Sequence, residues 1–518
     1  MQTVQMTPEK VWAEYDAGVH FNNGINLYDT VKNNENFFIG KQWEGVQSNG
    51  LPTPVFNFIK RVVLFSVANV STDNLKLHAT PLPGGANVST HALELFSDVM
   101  NDQFAQLFEH NAIGAKLRQF CRNAAVDGDG CLYVWWDGDA ATGQPGKGLP
   151  RVEVLANTQV LFGNPNCADV QTQPYIIVER RMMVDEARRY AANHGGGKAV
   201  TDAIVPDSKP SGETMMDTLG GERVTVLLRL WRDHKSGTIR SYECTRDVCI
   251  RKEWDLGIEP YPLVWMNWDY IQDCYHGQAM TTGLIPNQLF VNKLFALTMI
   301  SLTTLAFPKV VFDKTKVAKW SGKVGSAIGV NGSVEGVAKI VDPASVSPQI
   351  YQFIDAAVSY TQKFLGASDV ALGDARPDNT SAIIALQRAA ATPMELTKQN
   401  LLQCVEQLGR IFAAYMGEYY GERYVELQLP DGAEKVVIPL DFSALKKIPC
   451  SINLDAGASS YWSEIANMQT LDNLLMQGKI STSEYLRRLP KGQTIILQSG
   501  LLPIQAAMNQ REVIVNNQ

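Results

Sequence analysis

The chain has 518 residues, of which 45% are hydrophobic and 19% charged, and its formal net charge is −7. That length and balance describe a folded chain of about two to four structural units and exclude a disordered one, and the helix and strand patterns below read as α+β. The acidic excess excludes a surface that grips nucleic acid tightly, which needs clustered lysine and arginine, but not a surface that DNA slides past.

In chain order, residues 1–28 read as helical. NNENFFIGKQWEG follows, with Phe37, Phe38 and Trp43 around Gly40 and Gln42, and a Gly-Pro loop leads to a helix on which Phe58, Val62, Phe65 and Val70 recur. LKLHATPLP alternates like a strand and stops at its prolines. Ser89 or Thr90 can cap a helix whose Leu93, Phe96, Met100, Phe104 and Leu107 line one face, and a second helical pattern carries Leu117, Phe120, Cys121 and Ala124. The period then changes to two. CLYVWW lies between two Asp-Gly turns, and RVEVLAN, QVLFGNP, PYIIVERRMMV, VTVLLRLWRD, TIRSYECTRD and VCIRKEW read as further short strands. Residues 194–221 lack periodicity and are expected to form a long surface loop, and PYPLVWMNWDY is expected to be extended.

Residues 284–307 are the most apolar run, and from Leu294 to Phe307 nothing is charged. Three readings stand open: a membrane span, a core helix, or a helix buried against copies of itself. A span needs ~20 consecutive apolar residues, and Lys293 shortens the clean run below that. After Pro308 come a short β-like insert, KVVFD to VAKIV, and a helix from Gln349 on which Ile350, Phe353, Ile354, Ala357, Val358, Thr361, Phe364 and Leu365 form one apolar stripe. Lys309, Lys314, Lys316, Lys319, Lys323 and Lys339 crowd the insert, either as a solvated face or as a docking surface. Residues 366–381 form a polar loop longer than most helix–helix connections, a candidate moving element. A long helix spans 382–420, with Pro393 as a kink and Leu401, Val405, Leu408, Phe412 and Tyr415 on one side; YVELQL and KVVIPL flank an LPDG turn, and 462–476 reads as helix.

No catalytic constellation assembles. Gly146-Lys147 fails as a phosphate loop because Gly148 follows and position 141 is Ala, and H-E-x-x-H, G-x-S-x-G and a strand-to-helix G-x-G-x-x-G are absent. The seven histidines do not pair at ligand spacing. Asp127, Asp129, Asp137 and Asp139 are better explained as hairpin turns than as cation ligands. Eight scattered cysteines with no C-x-x-C pair read as reduced, mostly buried thiols made in a cytoplasm, and the N-terminus shows no secretory pattern. No cofactor or metal is expected.

The order of these parts resembles the portal proteins of tailed bacteriophages. FFIGKQWEG before PVFNFIKRVV, DGDG before CLYVWWD, VEVLANTQVLFGNPN, HGQAMTTGLIPNQLFVNKLFAL with Gly277, Pro286, Gln288 and Asn292, the β insert between two helices, and DNTSAIIALQRAA carry the resemblance. It implies a wing over 1–275, a stem helix over 276–306, a clip over 307–347, a second stem helix over 348–366, a tunnel loop over 367–381, a long tunnel helix over 382–420, wing strands over 421–458 and a crown-like helical region over 459–518. It further implies a homo-oligomeric ring, typically of twelve copies, at one capsid vertex of the virion, made in the host bacterial cytoplasm. Double-stranded DNA would pass through it non-specifically during packaging and ejection. Terminase large subunit, a head–tail adaptor, and major capsid and scaffolding proteins would be its partners, and it would have no enzymatic activity. The stem interface is then expected at Leu289, Leu294, Leu297, Ile300, Leu305, Phe353, Ala357 and Phe364. The clip surface is expected at Lys314, Lys316, Lys319, Trp320 and Lys323, and the tunnel loop at Asp369, Asp374, Arg376, Asp378 and Asn379. The competing reading is a membrane-associated pore or anchor using residues 284–307.

Overall fold

Alternation along the strand Ile176–Met183 sets the architecture. Ile176 and Val178 point to one side of a sheet and Ile177 to the other, and all three are fully buried, so both faces are covered. The computed structural model describes residues 6–48, 50–71, 75–81, 90–207, 222–306, 310–317, 319, 321, 328–340, 349–364, 394–428, 435–446, 450–456 and isolated positions between 471 and 479. The chain divides into two units, 1–71 with 77–453, and 72–76 with 454–518. The geometry that follows belongs to the first.

Three helices open it: α1 (Pro8–Gly24), α2 (Leu27–Ile39) and α3 (Phe58–Val70), followed by strand β1 (Leu75–Pro81). Helices α4 (Thr90–His110) and α5 (Ile113–Asp127) lead into β2 (Asp129–Asp137), β3 (Leu149–Leu155), β4 (Val160–Phe162) and β5 (Ile176–Met183). Then come α6 (Val184–Asn193), α7 (Lys198–Asp202), β6 (Arg223–Arg232), β7 (Ile239–Cys244), β8 (Cys249–Asp255) and β9 (Leu263–Asn267). Strands β4 to β8 pair in sequence as a five-stranded antiparallel sheet, and β3, β2 and β9 form a second sheet with β2 in the centre. The two sheets share a core in which Ile176, Val178, Leu228 and Leu230 meet Cys131, Tyr133, Leu155 and Trp265. On the opposite face α1 lays Val11, Trp12, Tyr15 and Val19 against Leu161, Ile177, Leu227 and Tyr242. Here Glu14 holds Arg229 through two bonds, at 2.6 and 3.1 Å, so the buried guanidinium is paired.

Within the stretch expected as a loop over 194–221, the described residues include regular structure. Residues 198–202 form α7, Ile204 is fully buried beside Val184 and Ala187 of α6, and Asp207 pairs with Arg181 while accepting from Thr225 N. Residues 208–221 lie outside the described ones. The long helix α8 (Met280–Ala306) starts four residues before the apolar run and contains Pro286. Strands β10 (Val310–Phe312) and β11 (Ala338–Ile340) pair antiparallel between α8 and α9 (Gln349–Phe364), and α8 and α9 pack together. Helix α10 (Glu395–Tyr419) buries Leu401, Val405, Leu408, Phe412 and Tyr415, the side read from spacing. Strands β12 (Glu422–Gln428) and β13 (Lys435–Asp441) pair, and β14 (Cys450–Ala456) follows. The helix expected from 382 is described only from Met394, and 391–393, the LPDG turn and most of 459–518 lie outside the described residues. All eight thiols are free. Cys121, Cys131, Cys244 and Cys404 are buried, and the other four are half-buried.

Candidate functional site

The chain turns sharply where α5 ends. Gly128 closes the helix at φ 104, in the left-handed region that favours glycine, and a Cβ there would lie 2.6 Å from Gly277 O. The next residue, Asp129, is completely buried. Its Oδ1 accepts from Gly277 N and Asn267 Nδ2, both at 2.7 Å; its Oδ2 accepts from Asn157 Nδ2 at 3.2 Å and lies 2.7 Å from His276 Nδ1. The other ring nitrogen of His276 is 3.2 Å from Asn22 Oδ1, which also accepts from Tyr275 OH. The hairpin-turn reading of Asp129 is therefore wrong. Asp-Gly follows a helix here, and the carboxylate gathers donors from β9, from the residues before α8 and from Asn157, while His276 links it to α1. With Asp129 and His276 at 0% and 2% exposure, this dyad is buried. Asp137 and Asp139 do sit at a turn, where Asp139 N donates to Asp137 Oδ1.

From this junction α8 is fastened by amides. Asn34 and Thr282 bond side chain to side chain at 2.9 Å. Gln288 donates to Phe56 O at 2.7 Å and accepts from Phe58 N and Ile59 N, first-turn donors of α3 that have no partner within the helix, and Phe58 N also donates to Phe56 O at 2.8 Å. Asn292 accepts from Gln288 and donates to Gln42 Oε1 at 2.7 Å, and Gln42 donates to Phe37 O. Gln42, Gln288 and Asn292 are fully buried. Three short motifs far apart in the sequence, around residues 37–43, 54–59 and 286–292, thus meet in one place.

Farther along, α8 exposes carbon. Leu297 is 50% exposed, and Phe290, Met299, Ile300 and Leu302 are also open, while Val291, Ala296 and Thr298 stay buried. On α9 the expected single stripe splits. Ile354 is buried, Ala357 and Val358 are half-buried, and Phe353 and Tyr360 are 63% and 61% exposed. Of the expected interface residues, Leu297, Ile300 and Phe353 are therefore open, and Leu289, Leu294 and Ala357 are half-buried; the side chains of Leu305 and Phe364 lie outside the described ones. Phe290, Met299, Leu302 and Tyr360 were not foreseen, although their apolarity within the same helices was the available signal. Between the helices, Asp313 closes the turn after β10 by accepting from Thr315 N and Oγ1, which hold its carboxyl below the usual range. Lys314 and Lys319 are exposed there, Lys316 is half-buried with Nζ 3.5 Å from Glu335 O, and Trp320 and Lys323 lie outside the described residues. Asp369, Asp374, Arg376, Asp378 and Asn379 also lie outside them.

The comparison with known families matches the chain to the model of the phage P22-like portal protein over residues 26–459. The chain belongs to that family. The match contains the buried amide cluster, both long apolar helices and the β10–β11 pair. Portal proteins are structural, not enzymatic. A solved structure described as "Neck of empty GTA particle computed with C6 symmetry" is similar at 12% identity, over 83% of this chain and 89% of that one, with a TM-score of 0.36. No curated protein matches the chain. Among the described residues no helix is long and apolar enough to cross a membrane, and no group of three or more His, Cys, Asp or Glu is placed to hold a metal ion.

Proposed function

We propose that the chain is the subunit of a portal ring at a capsid vertex, through which DNA is packaged and ejected. The observation that carries this is the family match, which spans 26–459 and so takes in α8 and α9. The physical support is the apolar surface that α8 and α9 leave open, which a neighbouring copy can cover as oligomer interfaces do. In this reading α8 and α9 are the stem helices, β10 and β11 with Lys314, Lys316 and Lys319 form the clip that meets terminase and the head–tail adaptor, and twelve copies close the ring. A net charge of −7 per copy disfavours adhesion of DNA phosphates to the passage. The exposed carbon of α8 is then assigned to protein neighbours in place of lipid.

Negative-stain images of the purified full chain, taken over a range of concentration and salt, test the reading. Rings with a central hole are expected. A compact monomer under every condition overturns the ring assignment.

A further inference from the structure

The geometry points to a carboxylate-binding site at Arg423, in a cavity of about 480 Å³ between α4, the β2–β3 loop and β12. Arg423 is 4% exposed. Of the guanidinium's five N–H donors one is used, Nη2 to Gly148 O at 2.7 Å. Nε is buried without a partner among the described residues. No described carboxylate forms an ion pair with this arginine, whereas the other deeply buried arginine, Arg229, has Glu14. The guanidinium stacks 3.5 Å from the ring centroid of Tyr420, but burial pushes that phenol up to about 12, so the phenol stays neutral and supplies no countercharge. Burial likewise holds the Arg423 guanidinium below the usual arginine range. A buried cation without an anion is unfavourable, and a cavity of this size is in the range of small-ligand sites.

The lining says which anion fits. Arg151 also lines the cavity, but it is already engaged by Asp137 at 3.3 Å. Asp102 and Glu426 also line the cavity and are exposed, and they would repel a phosphate dianion twice. A carboxylate carries one charge and matches the planar guanidinium fork. The site is held in shape by Gln144, whose side-chain amide pairs with the backbone of Tyr424 in both directions, at 2.9 and 3.2 Å. The carboxylate could come free in solution or on an acidic side chain of a second copy, and the binding arm of the test does not depend on the portal reading.

Thermal melts and calorimetry of the full chain with acetate, at ionic strength matched with chloride, test the site. Acetate is expected to raise the melting temperature saturably, and neutral acetamide is expected to do nothing. Arg423→Met should fold, because it removes an unpaired charge, and should weaken acetate at least about tenfold, the loss expected for one charge-assisted hydrogen bond. Arg423→Lys, which keeps the charge and loses the fork, should fall between. If acetate also inhibits assembly while wild type still binds it, the natural carboxylate belongs to a neighbouring copy; if assembly is unaffected, it is a free anion. Absence of a saturable shift in wild type, an equal shift from the amide, or equal affinity in Arg423→Met overturns the proposal.

Discussion

Asp127 has a buried carboxylate oxygen, Oδ1, that no described group donates to. Burial pushes its carboxyl up to about 7, against Arg122, whose Nη1 is 3.9 Å away; Glu35 and Asp129 add to the rise, and Glu35 is itself paired to Arg122. The folded chain therefore holds this proton more tightly than the unfolded chain does. The resulting stabilisation is complete below the ordinary value of 3.8 and is lost as pH rises through about 7. Asp127→Asn should remove that loss, so thermal melts should show the variant gaining on wild type between about pH 4 and about pH 7. Parallel curves would show that Asp127 is ionised without penalty. Asp129, two residues on, is fully partnered: its carboxylate accepts three hydrogen bonds and faces His276. Asp129→Ala strands those donors and should cost about 3–5 kcal/mol in urea denaturation, whereas a turn residue would cost a few tenths. Local sequence could not separate these two aspartates. Both precede a glycine, and what distinguishes Asp129 is a set of partners that reaches 148 residues away in sequence.

Periodicity revealed the elements and much less of their surroundings. The α10 side of Leu401, Val405, Leu408, Phe412 and Tyr415 was legible because one rigid helix meets one core, and every member is buried. The α9 stripe was legible as apolar but not as buried. Ile354 finds a neighbour within the chain and Phe353, one residue away, does not. Spacing reports where carbon lies on a helix, and it is silent about what covers it. The amide cluster under α8 was visible only as short motifs, because Gln42 and Asn292 are 250 residues apart and no local pattern couples them. Its role as an anchor can be tested at this scale. Gln288→Leu leaves Ile59 N without its acceptor, at about 1–3 kcal/mol for a buried group left unpaired, while Phe58 N and Phe56 O keep their bond to each other. Hydrogen exchange should then quicken at residues 56–59 with α10 protected as before. If exchange rises across the whole chain, the cluster holds the unit together globally and is not a local fastening of α8 to α3.

For the assembled molecule, the decisive question is whether the open carbon of α8 is merely tolerated or is awaiting a neighbour. One pair of substitutions on the same helix separates these. Leu297 and Ile300 are exposed in the single chain, so Leu297→Asp or Ile300→Asp should change its unfolding free energy by no more than about 0.5 kcal/mol, as ordinary surface substitutions do. In a ring the same aspartate would be an unpaired charge inside an apolar contact, at a cost of several kcal/mol per interface, repeated around the circle. Rings should disappear from negative-stain images while the monomer's melting temperature holds. Val291→Asp is the internal control, since Val291 is 1% exposed within the chain and its substitution should lower the melting temperature before assembly is reached. Rings that persist with Leu297→Asp would remove α8 from the subunit interface and leave its exposed carbon without a protein partner. Loss of both rings and monomer stability would instead place Leu297 in the chain's own core, against its 50% exposure.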